Sequence, residues 1–133
     1  MCIRDRYDTL RWYAFCPGAI HVVSKELVAA STKPLVLAVL SKGESYGYSI
    51  IQQVRQQSGG ELEWSEGMLY PVLHRMEKEK LILSSWKVGE NGRKRKYYRL
   101  SASGKRTIVI QREQWLSVHE TLSNLWGPKP CFN

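Results

Sequence analysis

Apolar residues return every three or four positions along most of this chain, and every second position along one short stretch. The helical period is clearest from Trp64 to Lys80, where Leu69, Val72, Leu73 and Met76 form one apolar face. Gly67, Tyr70, Pro71, His74, Arg75 and Lys78 form the other, a face of bases and a tyrosine that can lie against a polyanion. Ser65 is the N-cap this pattern predicts, and Glu66 suits the positive end of the helix dipole. Pro71 lacks an N–H and its ring presses on the carbonyl four residues back. Either the first turn bends there, or the regular helix begins closer to Pro71 than to Ser65.

Upstream, Leu27, Ala30, Ser31, Leu35, Ala38 and Val39 recur at helical spacing between Lys25 and Gly43, with Gly43 as the C-cap. Pro34 falls inside, which predicts a bend or a break. The run Leu35–Leu40 alone also fits a short buried strand, but the pattern on both sides and the glycine stop favour a helix. A second helix is predicted over Tyr46–Gln57, with Tyr46, Ile50, Ile51 and Val54 inward and Ser45 as its cap. Ser58-Gly59-Gly60 stops it, and residues 61–64 connect it to the Trp64–Lys80 helix.

After Lys80 the period drops to two. Ile82, Ser84, Trp86 and Val88 alternate with Leu83, Ser85 and Lys87, Gly89-Glu90-Asn91-Gly92 reads as a turn, and residues 93–100 as the return strand. Successive strand residues face opposite sides, so one of Tyr97 and Tyr98 belongs in the core. A last helix is predicted from Ala102 to Trp126 with Ser101 as its cap. Ile108, Trp115 and Leu122 lie seven apart, and Trp115, Val118, Leu122 and Leu125 have coiled-coil spacing. Such a seam belongs in a two-fold dimer interface, the alternative being a helix folded back on the first one.

The expected fold is therefore mainly α with a small β-hairpin: a winged helix-turn-helix plus a long C-terminal dimerisation helix. The winged domain is placed at 25–100, the dimerisation helix at 101–126 and a loose tail at 127–133. Residues 1–24 show no sustained period, and Cys16-Pro17-Gly18 interrupts their apolar part. They are not read as a signal peptide but as a disordered or non-native extension.

Composition narrows the function. The 133 residues fit one domain, and the net charge of +8 with pI near 9.6 points to nucleic acid or an anionic surface. Five of the seven residues from Arg93 to Arg99 are basic. On a hairpin tip such a run can hold one phosphate track. No apolar run approaches a membrane span. The cysteines Cys2, Cys16 and Cys131 and histidines His21, His74 and His119 make no metal or disulfide pattern, which leaves a reducing cytoplasm as the simplest setting. No paired carboxylates, nucleophile elbow or phosphate loop is present, so the reading is a non-enzyme with no cofactor and no metal.

Residues 25 to about 126 resemble the PadR family of transcriptional regulators. The resemblance lies in Y-G-Y-S-I (46–50), G-M-L-Y-P-V-L-H-R-M-E (67–77), L-I-L-S-S-W (81–86), G-R-K-R-K-Y-Y-R-L-S (92–101) and E-Q-W-L-S-V (113–118). It is nearest to the short branch with a single C-terminal helix, which includes multidrug-sensing repressors. It implies a cytoplasmic homodimer that represses transcription at an operator and releases it when a ligand binds. Met68 stands where the family pattern has threonine, and Gly43-Glu44 where Gly-Pro is common, which puts an acid near the DNA side.

On this reading the Ser65–Lys80 helix enters the major groove, with Gly67, Met68, Tyr70, His74 and Arg75 nearest the bases. Tyr46 and Tyr48 are phosphate candidates, and Arg93, Lys94, Arg95 and Lys96 hold the flanking backbone. Trp115 can face its copy across a dimer axis and stack on a flat aromatic or cationic effector, with Leu27, Ser31, Ile108, Gln111 and His119 alongside. Otherwise Trp115 simply fills the seam with Val118, Leu122 and Leu125. The rival function is a basic winged module that binds RNA or acts as a non-catalytic interaction protein.

Overall fold

The computed structural model describes residues 23–127. Most of the extension expected over 1–24 and of the tail expected over 127–133 therefore lies outside the described residues. The elements are α1 (Lys25–Ser41), β1 (Ser45–Tyr46), α2 (Gly47–Gln57), α3 (Glu66–Lys78), β2 (Ile82–Val88), β3 (Lys94–Leu100) and α4 (Ala102–Trp126). The strands form one antiparallel sheet in the order β1-β3-β2. This is a winged helix-turn-helix, mainly helical, with one strand more than the expected hairpin.

That extra strand corrects one boundary. Ser45 is not the cap of α2. It pairs with Tyr98 in β1, and its buried hydroxyl accepts a hydrogen bond from Gln53 Nε2 at 3.4 Å. Tyr46 takes the extended cap position instead, without a side-chain cap bond. The return strand β3 recruits the two residues ahead of α2, a tertiary pairing that overrides the local capping preference of serine.

α1 is one unbroken helix with Pro34 inside it, capped by Ser24 Oγ, which accepts from the Leu27 N–H at 3.2 Å. Ala30, whose carbonyl loses its partner to the proline, is exposed, so water can replace the missing donor. The buried face is Thr32, Val36, Leu37 and Leu40, while Leu27, Ala30 and Ala38 from the expected stripe are exposed. Residues 35–40 are apolar on nearly every side, so periodicity alone does not choose a face. The choice comes from α2, α3 and β3, against which α1 packs.

α3 starts at Glu66, the earlier of its two expected starts, with Ser65 Oγ accepting from the Met68 N–H at 3.1 Å. Pro71 is exposed, and so is Gly67, whose carbonyl it leaves without an intrahelical donor. The helix ends with Lys80 at φ 62° and the Leu81 N–H bonded to the Met76 carbonyl at 3.0 Å. That is a left-handed C-terminal turn closed by a lysine where glycine is usual.

β2 and β3 pair from Ile82↔Leu100 to Val88↔Lys94, and the Gly89 N–H closes the turn on the Arg93 carbonyl at 2.8 Å. Only the inner rungs reach the core: Ile82, Tyr98 and Leu100 are buried, whereas Trp86 and Val88 are well exposed. Tyr98 is thus the core tyrosine of the pair. The core joins Val36, Leu37 and Leu40 of α1, Ile50 and Val54 of α2, Trp64, and Leu69, Leu73 and Met76 of α3 to these strand residues.

α4 begins where expected. Ser101 Oγ accepts from the Gly104 N–H at 3.0 Å and donates to the Lys80 carbonyl at 2.6 Å. Gly104 is buried so closely that a Cβ built on it would lie 2.1 Å from the Leu81 carbonyl oxygen. One compact unit spans Val23–Gln114 and so includes the first half of α4. From Trp115 onward the helix belongs to a second unit and is described by itself. There Trp115, Leu116, Val118, Leu122, Leu125 and Trp126 are all exposed. Among the described residues, no helix is long and apolar enough to cross a membrane.

Candidate nucleic-acid interface

The exposed face of α3, the first turn of α2 and the basic strand β3 surround two open concavities with Tyr70 between them. One is lined by Tyr46, Gly47, Tyr48, Glu66, Tyr70 and residues 93–96. The other is lined by Tyr70, His74, Glu77, Trp86, Lys94, Lys96 and Tyr98. Tyr70 is only partly exposed. Its hydroxyl crosses to Gly47 so tightly that a Cβ there would lie 2.6 Å from the oxygen. It therefore braces α3 against the start of α2 as well as presenting a ring edge outward. Gly47 is what makes that crossing possible; it lies in the Y-G-Y-S-I stretch, but no periodicity gives its reason.

The tip cations divide into two classes. Arg93 and Lys94 are exposed, and no ion pair of theirs is found among the described residues. Arg95 and Lys96 are half-buried. The Arg95 guanidinium sits 4.5 Å from the centre of the Tyr46 ring, which meets Tyr97 edge-on at 5.3 Å. Tyr46, expected as a phosphate contact through its hydroxyl, has its ring held as a platform in this stack and lines the first concavity. Lys96 Nζ lies 3.5 Å from Glu77 and 5.6 Å from the Tyr98 ring centre. Lys96, expected to hold the flanking backbone, is thus ion-paired in the chain by itself.

Glu77 receives a short hydrogen bond from the Ser84 hydroxyl. That bond lowers its carboxyl from the ordinary carboxylate value against the opposing pull of desolvation, and Lys96 and His74 add to the lowering. Burial pushes the Tyr98 hydroxyl up, helped by the charge on Glu77. On the opposite side of the sheet Lys87 is paired with Glu44, the acid expected near the DNA side. That acid is neutralised by the wing.

Other expected contacts are distributed unevenly. Tyr48, His74 and Arg75 are exposed, and Gly67 is open around its Cα. Met68, expected near the bases, is half-buried, and its side chain packs against the core. Of the expected ligand residues on the compact unit, Leu27 is exposed, and the Ser31 hydroxyl donates to the Val28 carbonyl at 3.2 Å. Ile108 packs against the core and so is not a free pocket wall. Gln111 Oε1 is buried with no hydrogen-bond partner among the described residues. Trp115 and His119, on the outer half of α4, are exposed. Gly47, Glu66, Glu77, Trp86 and Tyr98 line the concavities in addition to the residues expected there. Trp86 looks from sequence like a core strand residue, and only the hairpin's reach beyond the core exposes it.

A second helix whose exposed face shares one cationic and aromatic surface with a basic hairpin defines a DNA-binding transcription regulator of the winged helix-turn-helix class. Residues 36–109 match the model of the transcriptional regulator PadR-like family. The chain belongs to that family. Its fold is similar to a PadR-like transcriptional regulator from Bacillus cereus, with 30% identity and a TM-score of 0.70, over 79% of this chain and all of that one. A PadR family transcription regulator from Clostridium difficile is similar at 32% identity and a TM-score of 0.66, over 73% of this chain and 99% of that one. An uncharacterized protein from Lysinibacillus sphaericus is 27% identical over 101 residues, 76% of this chain and 93% of its own length.

Proposed function

We propose that the protein is a cytoplasmic, homodimeric repressor that binds an operator and leaves it when a flat aromatic or cationic effector binds. The observation that carries the DNA reading is the single concave surface on which Tyr48, Tyr70, Arg93 and Lys94 meet, beside His74. In each protomer α3 lies in a major groove, with His74 and Arg75 toward base edges and Tyr70 at the groove wall. Tyr48, at the first turn of α2, reaches a phosphate, where the N–H groups of a helix start favour an anion. Arg93 and Lys94 hold the flanking backbone.

The test is a duplex shift assay over a range of salt. Replacing Arg93 and Lys94 together by alanine is expected to weaken binding to every sequence. The slope of log K against log salt should flatten by about 0.9 for each phosphate that the variant no longer neutralises. An unchanged slope removes the wing tip from the interface. Equal preference for folded RNA would favour the rival RNA-binding reading.

The dimer reading rests on the exposed apolar residues of the outer half of α4, which have coiled-coil spacing. The effector reading rests on Trp115 in that seam, an exposed indole on which a flat ligand can stack. Flat cationic dyes should quench tryptophan fluorescence, and Trp115→Ala should abolish most of the quenching despite the four remaining tryptophans. Equal quenching in the variant would move the effector elsewhere.

A further inference from the structure

We infer that Glu77 masks Lys96 and thereby limits the electrostatic grip of this protein on DNA. The inference rests on the DNA-binding surface proposed above. Lys96 lies in the concavity beside Tyr70 and His74, where a free ammonium would face a phosphate. Its nearest acid is Glu77, 3.5 Å away, and both side chains are about a third exposed, at 35% and 33%. Ser84, on the neighbouring strand, fixes the carboxylate from behind with a short hydrogen bond. The acid is therefore anchored at its site whether or not the lysine stays.

This anchoring decides what DNA can gain. A phosphate that drew Lys96 away would leave an ionised carboxylate beside itself, and like charges at that distance repel. The pair is neutral as a unit, so it displaces no condensed counterion from the duplex. The strength and salt dependence of binding come from counterion release by unpaired cations. Arg93 and Lys94 supply that term, and Lys96 does not. The benefit to a regulator lies in competition: bulk DNA offers a vast excess of nonspecific sites, and every additional free cation strengthens binding to all of them.

The experiment measures affinity for a random-sequence duplex, and for fragments of the upstream region of its own gene, at several salt concentrations. Wild-type protein, Glu77→Gln, Lys96→Gln and the Glu77→Gln/Lys96→Gln double variant are compared, with melting curves to establish that each is folded. Glutamine at 77 keeps an acceptor for Ser84 but frees the lysine. Glu77→Gln should steepen the salt slope by about 0.9 per protomer bound and raise nonspecific affinity roughly three- to tenfold at low salt. Lys96→Gln alone bares the Glu77 carboxylate and should weaken binding, whereas the double variant, uncharged at both positions, should return to the wild-type slope. Glu79→Gln should do nothing to the slope, because that acid, just beyond the end of the same helix, pairs with Lys33 instead.

A slope flatter in the double variant than in the wild type would show that the lysine already contacts phosphate, and would overturn the inference. So would an unchanged slope in Glu77→Gln, or a steepened one that persists in the double variant. If Glu77→Gln fails to fold, Glu77→Ala and Glu77→Ala/Lys96→Gln take its place in the same comparison. A wild-type protein with no salt-dependent duplex binding would instead sink the proposed function itself.

Discussion

Gly104→Ala is expected to destabilise the compact unit more than any other single added methyl group at its glycines. The new Cβ would lie 2.1 Å from the Leu81 carbonyl oxygen and close to Leu100 Cδ2. The first neighbour is rigid backbone, and the second, though the end of a side chain, is buried in the core. The Leu81 carbonyl accepts from the Ser101 N–H at 3.0 Å, and Leu81 follows the left-handed turn that ends α3. To admit the methyl, α4 must lift away from the α3–β2 junction and disturb the Ser101 bonds that start it. Overpacking typically costs about 1–3 kcal/mol and sometimes more. With a rigid backbone oxygen as the obstacle, a loss of about 3 kcal/mol is expected. For a unit of this size that lowers the melting temperature by roughly 10–20 °C. Gly67→Ala is the control. The nearest heavy atom to its Cβ would be Ser65 Oγ at 3.9 Å, and alanine favours helix by up to about 1 kcal/mol. Equal melting temperatures for the two variants would show that α4 is not seated on Leu81.

The second large effect concerns the homodimer proposed above. Val118→Asp with Leu122→Asp puts two charges into the exposed apolar seam of α4. Both positions are solvent-exposed in the single chain, so the compact unit should keep its fold. In a dimer interface each carboxylate would be buried without a partner, which costs far more than the apolar packing it replaces. The variant is expected to sediment as a monomer. Operator binding should weaken by about 10²–10⁴-fold, because the second half-site is no longer held at high effective concentration. Binding to a single half-site should change little. A variant that remained dimeric would place the interface elsewhere.

Much of this architecture can be read from the sequence wherever a local rule and the fold agree. Ser65 and Ser101 cap α3 and α4 as their positions imply, and the turn containing Asn91-Gly92 closes the wing. Ser45 shows where such reading stops. A serine before a helix is a good cap, but only the arrival of β3 decides that it is a strand residue instead. The basic run shows the same limit at the interface. Charge and position mark Arg93 to Lys96 as one group. Whether each cation is free depends on partners distant in sequence: Tyr46 for Arg95 and Glu77 for Lys96. Gly47 and Gly104 also belong to this class. Their small size answers a neighbour more than twenty residues away in the chain, and no periodic pattern records it. Met68 sits on the flank of α3, half-buried against the core, and periodicity alone does not settle which side of the helix such a residue takes.

The wing is not mechanically uniform. Its base is a three-stranded sheet, because β1 pairs with Tyr97 and Tyr98. Beyond those rungs only Trp86↔Lys96, Lys87↔Arg95 and Val88↔Lys94 continue, as a two-stranded ribbon. A ribbon of two strands twists and bends more easily than a sheet of three. The hairpin is thus a stiff root carrying a compliant tip, and Arg93 and Lys94, with no ion pair among the described residues, are at the soft end. On the proposed DNA interface such a tip would follow the local width of a groove at little elastic cost, adapting to the shape of the duplex without selecting among shapes. Selectivity would fall to the rigid part, where Tyr70 bolts α3 to α2.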